Sequence, residues 1–131
     1  MVDIEIVREW VEKAEEDFQF AVINLKERNS FFAQICFHFQ QAAEKYLKAF
    51  IVAHELEFRK IHDLDLLRKT CQTKDPSFEE LKKACQFLAA FYVETRYPVH
   101  WPTRFSLEEA QKASVATERI RSAVRENLGI P

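Results

Sequence analysis

The chain has 131 residues, 47% of them hydrophobic, with one glycine and four prolines. Those values suit a single domain with a sizeable core and exclude a disordered chain; the scarcity of turn-forming residues argues for long helices and against an all-β fold. A formal net charge of −2 excludes a strong overall basic field, leaving only a local basic cleft as a route to anionic ligands.

Three cysteines, Cys36, Cys71 and Cys85, have no close partner in sequence and lie among apolar residues. They are expected to be buried reduced thiols of a cytoplasmic protein. The opening MVDIEIVREW carries acids early and does not resemble a signal peptide. No stretch is apolar enough for a membrane span, so no membrane association is expected.

Apolar residues at Ile4, Val7, Val11, Ala14, Phe18, Ala21 and Leu25 alternate by threes and fours, which predicts a first amphipathic helix from Asp3 to about Arg28. Ser30 is a candidate N-cap for the next helix. That helix, FFAQICFHFQQAAEKYLKAFI and on to about Glu55, holds the most apolar long stretch in the chain. Phe32, Ile35, Phe39, Ala42, Ala43, Tyr46, Leu47 and Phe50 form its broad inward stripe. His38, Gln41, Lys45 and Lys48 form a polar stripe, read either as an anion-binding row or as a solvated or interface face.

A short third helix is predicted near residues 64–71, with His62 and Asp63 as caps or turn residues. Ser77 and Glu80 suggest a capping box for a fourth helix that ends near Glu94 and turns Phe78, Leu81, Cys85, Leu88 and Tyr92 to one side. The stretch TRYPVHWPTRF follows, and Pro98 and Pro102 forbid a regular helix there. Ser106 and Glu109 make another capping box, for a last helix to about Asn127 that faces Leu107, Ala110, Ala113, Thr117, Ile120 and Val124 inward and stops at Gly129. The expected fold is therefore all-α: an antiparallel up-and-down bundle of four long helices and one short one, in a single domain over residues 1–131.

Arg96 and His100 are the leading pair for chemistry. A guanidinium grips phosphate oxygens in parallel hydrogen bonds, and an imidazole can take a proton near neutral pH. The plain structural reading pairs Arg96 with Glu94 and packs His100 beside Trp101. Neither a glycine-rich phosphate loop nor a Cys/His metal spacing occurs, so no cofactor or metal is expected. The aromatic surplus, Phe31, Phe37, Phe91, Trp101 and Phe105 among it, is more than a small bundle needs inside and points to a homodimer interface.

CFHFQQAAEKYLKAFI, then KIHDLDLL, then FYVETRYP resemble, in order and spacing, the HEPN domain family of bacteria and archaea. The resemblance is strongest to small stand-alone members encoded beside a minimal nucleotidyltransferase. WVEKAEEDFQFAVINL is similar to the family's first helix, so nearly the whole chain is covered. The resemblance implies a helical bundle that dimerises around a cleft. It also implies a metal-independent RNase of a toxin–antitoxin or defence system, with the nucleotidyltransferase as antitoxin; other members are proposed to bind nucleotides. It casts Arg96 as phosphate ligand and His100 as general base toward a ribose 2′-hydroxyl; His62, His38, Lys45, Tyr97 and Arg104, picked out by residue type and place in the chain, are candidates to line the same cleft. Here three residues, one of them Pro98, separate Arg96 from His100, fewer than in the family signature, and Pro102 stands where modified members carry tyrosine. Three readings follow: an RNase toxin, a non-catalytic subunit that binds a nucleotide or a nucleotidyltransferase, and a dimerisation module.

Overall fold

The computed structural model describes residues 2–27, 30–94 and 105–130, with residues 93 and 94 described by their backbone alone. Its elements in chain order are α1 (Ile4–Lys26), α2 (Phe32–Ala53), α3 (Leu64–Gln72), a 3₁₀ segment (Pro76–Leu81), α4 (Lys82–Ala89), the single turn α5 (Phe91–Glu94) and α6 (Leu107–Leu128). The all-α bundle expected from the sequence is what forms. No helix among the described residues is long and apolar enough to cross a membrane.

The threes-and-fours seam of α1 is the buried one: Val7, Val11, Ala14, Phe18 and Ala21 face inward, whereas Ile4 lies outside. α2 is the spine. It packs against every other α-helix, and its Phe39, Tyr46, Leu47, Phe50 and Ile51 are fully enclosed. A helix touched on so many sides must be apolar around most of its circumference, as its sequence is. Contacts fix the helix directions. Glu15 and Asp17 of α1 meet Tyr46 and Lys45 of α2 while Trp10 lies near Lys48, so the two helices are antiparallel. Thr117 Oγ1 donates to the Phe39 carbonyl and His54 meets Asn127, so α2 and α6 run the same way. Arg119 reaches the Glu80 carbonyl while Phe105 meets Phe91, which sets α4 and α5 against α6. These directions are those of an up-and-down bundle.

Some caps differ from expectation. Phe31, not Ser30, is the N-cap of α2, and no side chain bonds there. Asp75 caps the fourth segment in place of Ser77: its carboxylate accepts from Ser77 N at 3.0 Å and Ser77 Oγ at 2.7 Å. The segment then starts as 3₁₀ and breaks again at Ala90. Asp63 caps α3, Ser106 accepts from Glu109 N at 3.3 Å, and Gly129 closes α6 at φ 69°, a left-handed conformation that glycine adopts without strain. Phe91 belongs to the core and Phe105 packs on it at 5.6 Å, so neither is surplus surface; Phe31 is exposed. The three thiols are free and buried, and burial pushes Cys36 and Cys85 up to about 12.

One carboxylate ties three helices. Glu15 of α1 accepts from the Tyr46 hydroxyl of α2 and, each at 2.7 Å, from Arg121 and Arg125 of α6. Burial alone would raise the Glu15 pKa, but the bonds from Arg121 and Tyr46 outweigh it and hold the carboxyl below its ordinary value.

Candidate functional site

Arg96, Tyr97, His100 and Arg104 lie outside the described residues, as does Trp101. Of the described residues on either side of them in the chain, Tyr92 stacks on His62 and Phe105 packs on Phe91.

The polar stripe of α2 divides into two units of the same construction. In the first, Asp17 of α1 holds Lys45 Nζ at 2.6 Å on one oxygen and His38 Nδ1 at 3.0 Å on the other. In the second, Glu44 holds Lys48 Nζ at 3.0 Å and His62 Nδ1 at 3.0 Å, and Gln40 Nε2 approaches at 3.5 Å. His38 and Lys45 of the expected stripe meet on Asp17, whereas Lys48 does not share their open face. Lys48 is instead enclosed, with its ammonium 5.9 Å from the ring centroids of both Trp10 and Phe58. Taking a lysine and a glutamate out of water is tolerable only because each neutralises the other.

The two histidines share a proton arrangement. An ionised carboxylate can only accept hydrogen bonds, so the nitrogen facing it, Nδ1, carries the proton. The opposite nitrogen, Nε2, is left as acceptor in the neutral ring and donor in the charged ring, with no partner among the described residues for either histidine. The His62 side chain is 48% exposed while Glu44 beneath it is 5% exposed, so a fixed base supports an accessible ring. Tyr92 stacks on that ring at 4.4 Å and 14°. Residue pairs of this kind orient an imidazole for proton transfer or for anion contact.

Asp17 and Glu44, the groups that fix both rings, were missed from sequence. The signal was present: Glu44 is an acid inside the most apolar stretch, four residues after Gln40 and four before Lys48, a position that demands a buried partner. His62 was weighed mainly as a cap, a task that Asp63 performs.

Asp17, like Glu15, is held below its ordinary pKa: burial raises it, and the His38 and Lys45 hydrogen bonds overcome that. A group with a lowered folded pKa adds stability that is complete above its unfolded value and is lost as pH falls through the folded one. The melting temperature is therefore expected to drop once pH passes below the ordinary values of 4.5 for Glu15 and 3.8 for Asp17. Glu15→Gln should flatten that acid limb in thermal melts across pH; an unchanged limb would exclude Glu15 as its source.

The HEPN domain family matches residues 7–127. Among solved structures, TT1696 from Thermus thermophilus aligns with a TM-score of 0.77 and 28% identity over 92% of this chain and 96% of that one. ST0689, described as an archaeal HEPN homologue, aligns with a TM-score of 0.73 and 24% identity over the same shares, a likeness of fold. Nothing among curated proteins matches the chain. The helical bundle, the α2 spine carrying QQAAEKYLKA and a family match across almost its full length make this chain a member of the HEPN domain family.

Proposed function

We propose that this protein is the toxin-like component of a two-protein system, a metal-independent endoribonuclease whose partner is a minimal nucleotidyltransferase. The observation that carries the reading is His62 on Glu44: an accessible imidazole held by a buried carboxylate and stacked on Tyr92, four residues before Arg96 in the chain. In this reading Arg96 grips the phosphate and offsets the charge that develops on its oxygens. His100 takes the 2′-hydroxyl proton as that oxygen attacks phosphorus. The bond to the 5′-oxygen breaks, and the 5′-oxygen acquires a proton. The site works at a cleft between two copies, and the exposed Phe31 is apolar surface available to such a dimer.

The test is cleavage of single-stranded RNA by the purified protein in EDTA. Wild type should cut, and Arg96→Ala and His100→Ala should each lose about 10²- to 10⁴-fold in rate. Equal cutting by all three would remove the proposal.

One observation favours a second reading, a non-catalytic subunit that binds a nucleotide or the nucleotidyltransferase: only three residues, including Pro98, separate Arg96 from His100. An intact RNA substrate together with co-purification of the nucleotidyltransferase would select it.

A further inference from the structure

A furrow of about 430 Å³ runs between α4 and α6. Ala84 and Ala116 are buried at its base, Phe87 is half-buried, and Val115 stands 64% exposed. Exposed charged residues border it: Lys83, Lys112, Arg119 and Glu108. Lys112 pairs with Glu108 at 3.3 Å. Lys83 then has no ion pair among the described residues, and Arg119 has only the Glu80 carbonyl, 3.4 Å away. α4 and α6 run antiparallel, so Lys83 and Arg119 lie at one end of the furrow and Phe87 and Glu108 at the other. The furrow is apolar along its base and positive at one end. We propose that it docks an amphipathic helix of a partner protein, whose apolar side chains meet Ala84, Val115 and Ala116 and whose acidic residues meet Lys83 and Arg119. The proposal stands apart from the RNase reading, because none of His38, Lys45, Lys48 and His62 lines the furrow.

Shape and charge select this occupant. Both walls are helices whose backbone groups bond within themselves, so an extended strand would find no main-chain partners. A helix instead projects side chains at i, i+3 and i+4, roughly 5–6 Å apart. The small Ala84 and Ala116 leave room for such side chains between the two walls. From Glu108 to Arg119, α6 covers about 17 Å at roughly 1.5 Å per residue, the length of about three helical turns. An apolar base with a charged border is also the anatomy of a protein interface. The cations at one end attract acidic side chains and oppose basic ones. Glu80 and Glu118 line the neighbouring hollow that shares Arg119, so an acidic segment is steered to the furrow and away from that hollow.

The experiment is fluorescence anisotropy of a labelled, hydrocarbon-stapled peptide of about twelve residues titrated with the full-length protein. The peptide carries leucines at helical spacing and glutamates in one terminal turn; a second peptide carries lysines in their place. Wild type should bind the glutamate peptide in the micromolar range, as suits a small contact, and the lysine peptide about tenfold more weakly. Val115→Asp changes an exposed residue, keeps the fold by circular dichroism, and should weaken binding at least about tenfold. Lys83→Glu, also at an exposed position, should weaken the glutamate peptide about threefold to tenfold and strengthen the lysine peptide. The proposal is overturned if wild type does not bind the glutamate peptide, or if Val115→Asp binds it as wild type does. Equal binding of both peptides, or no change of preference in Lys83→Glu, overturns the choice of an acidic partner. Sedimentation of the same proteins supplies the remaining outcome. A wild type that self-associates at micromolar concentration, while Val115→Asp stays monomeric, assigns the furrow to a second copy of this chain and also overturns the proposal.

Discussion

Lys48→Ala is expected to destabilise the protein by about 3–5 kcal/mol, the cost of leaving one partner of a buried ion pair without the other. The stranded group is Glu44, whose side chain is buried and whose polar partners come from α2 and the segment before α3. His62 and Gln40 would remain on it, but neither brings a permanent charge. The lysine stem also fills space beside Trp10 and Phe58, and truncation removes that packing as well. Stability of about 0.05–0.15 kcal/mol per residue is usual, so the loss takes a large share of the total. Thermal and urea melts read it directly. The double variant Glu44→Leu with Lys48→Met should recover most of the loss, because the desolvation cost disappears with the charges. A loss below about 1 kcal/mol in the single variant would mean that water reaches Glu44 and that the pair behaves as a surface one.

Phe50→Ala should be of similar size for a different reason, about 3–5 kcal/mol from lost burial and the cavity left behind. Phe50 has no exposed surface, and its ring lies 4.6 Å from Phe78 and 4.4 Å from His54. Through Phe78 its ring joins α2 to the 3₁₀ segment, so the cavity opens where those two elements meet. Phe50→Leu keeps most of the volume and should cost less than about 1.5 kcal/mol. Phe31→Ala, at the same helix's exposed start, should stay within about 0.5 kcal/mol. Urea midpoints of the three variants test the order; a Phe50→Ala protein as stable as Phe31→Ala would contradict the packing of α2 on the 3₁₀ segment.

The helices were legible because their seams repeat. Val7, Val11, Ala14, Phe18 and Ala21 in α1, and Ala110, Ala113, Thr117, Ile120 and Val124 in α6, are marked by spacing alone. One misplaced cap falls where two cap-competent residues stand close together. Asp75 and Ser77 both carry side-chain oxygens able to accept, and the structure uses Asp75, with Ser77 donating to it. At the start of α2 no side chain caps at all. Phe91 was assigned to the surface because a count of aromatic residues says nothing about which of them the bundle encloses. The candidate site was legible only in halves. His38, Lys45 and His62 were picked out by residue type, but the carboxylates that make them into units come from other elements. Asp17 is 21 residues from His38, and Glu44 is 18 from His62. No local pattern connects such pairs; the fold does.

The carboxylate of Glu15 shows how little chain length costs a bundle once its helices are aligned. Its bond to Tyr46 closes 31 residues, and its bonds to Arg121 and Arg125 close 106 and 110. Loop-closure entropy grows only with the logarithm of length, so the distant ties cost about 1 kcal/mol more than the near one. For that small difference, the first and last helices share one acceptor. The two ends of the chain are thereby fastened into the same cooperative unit as its spine.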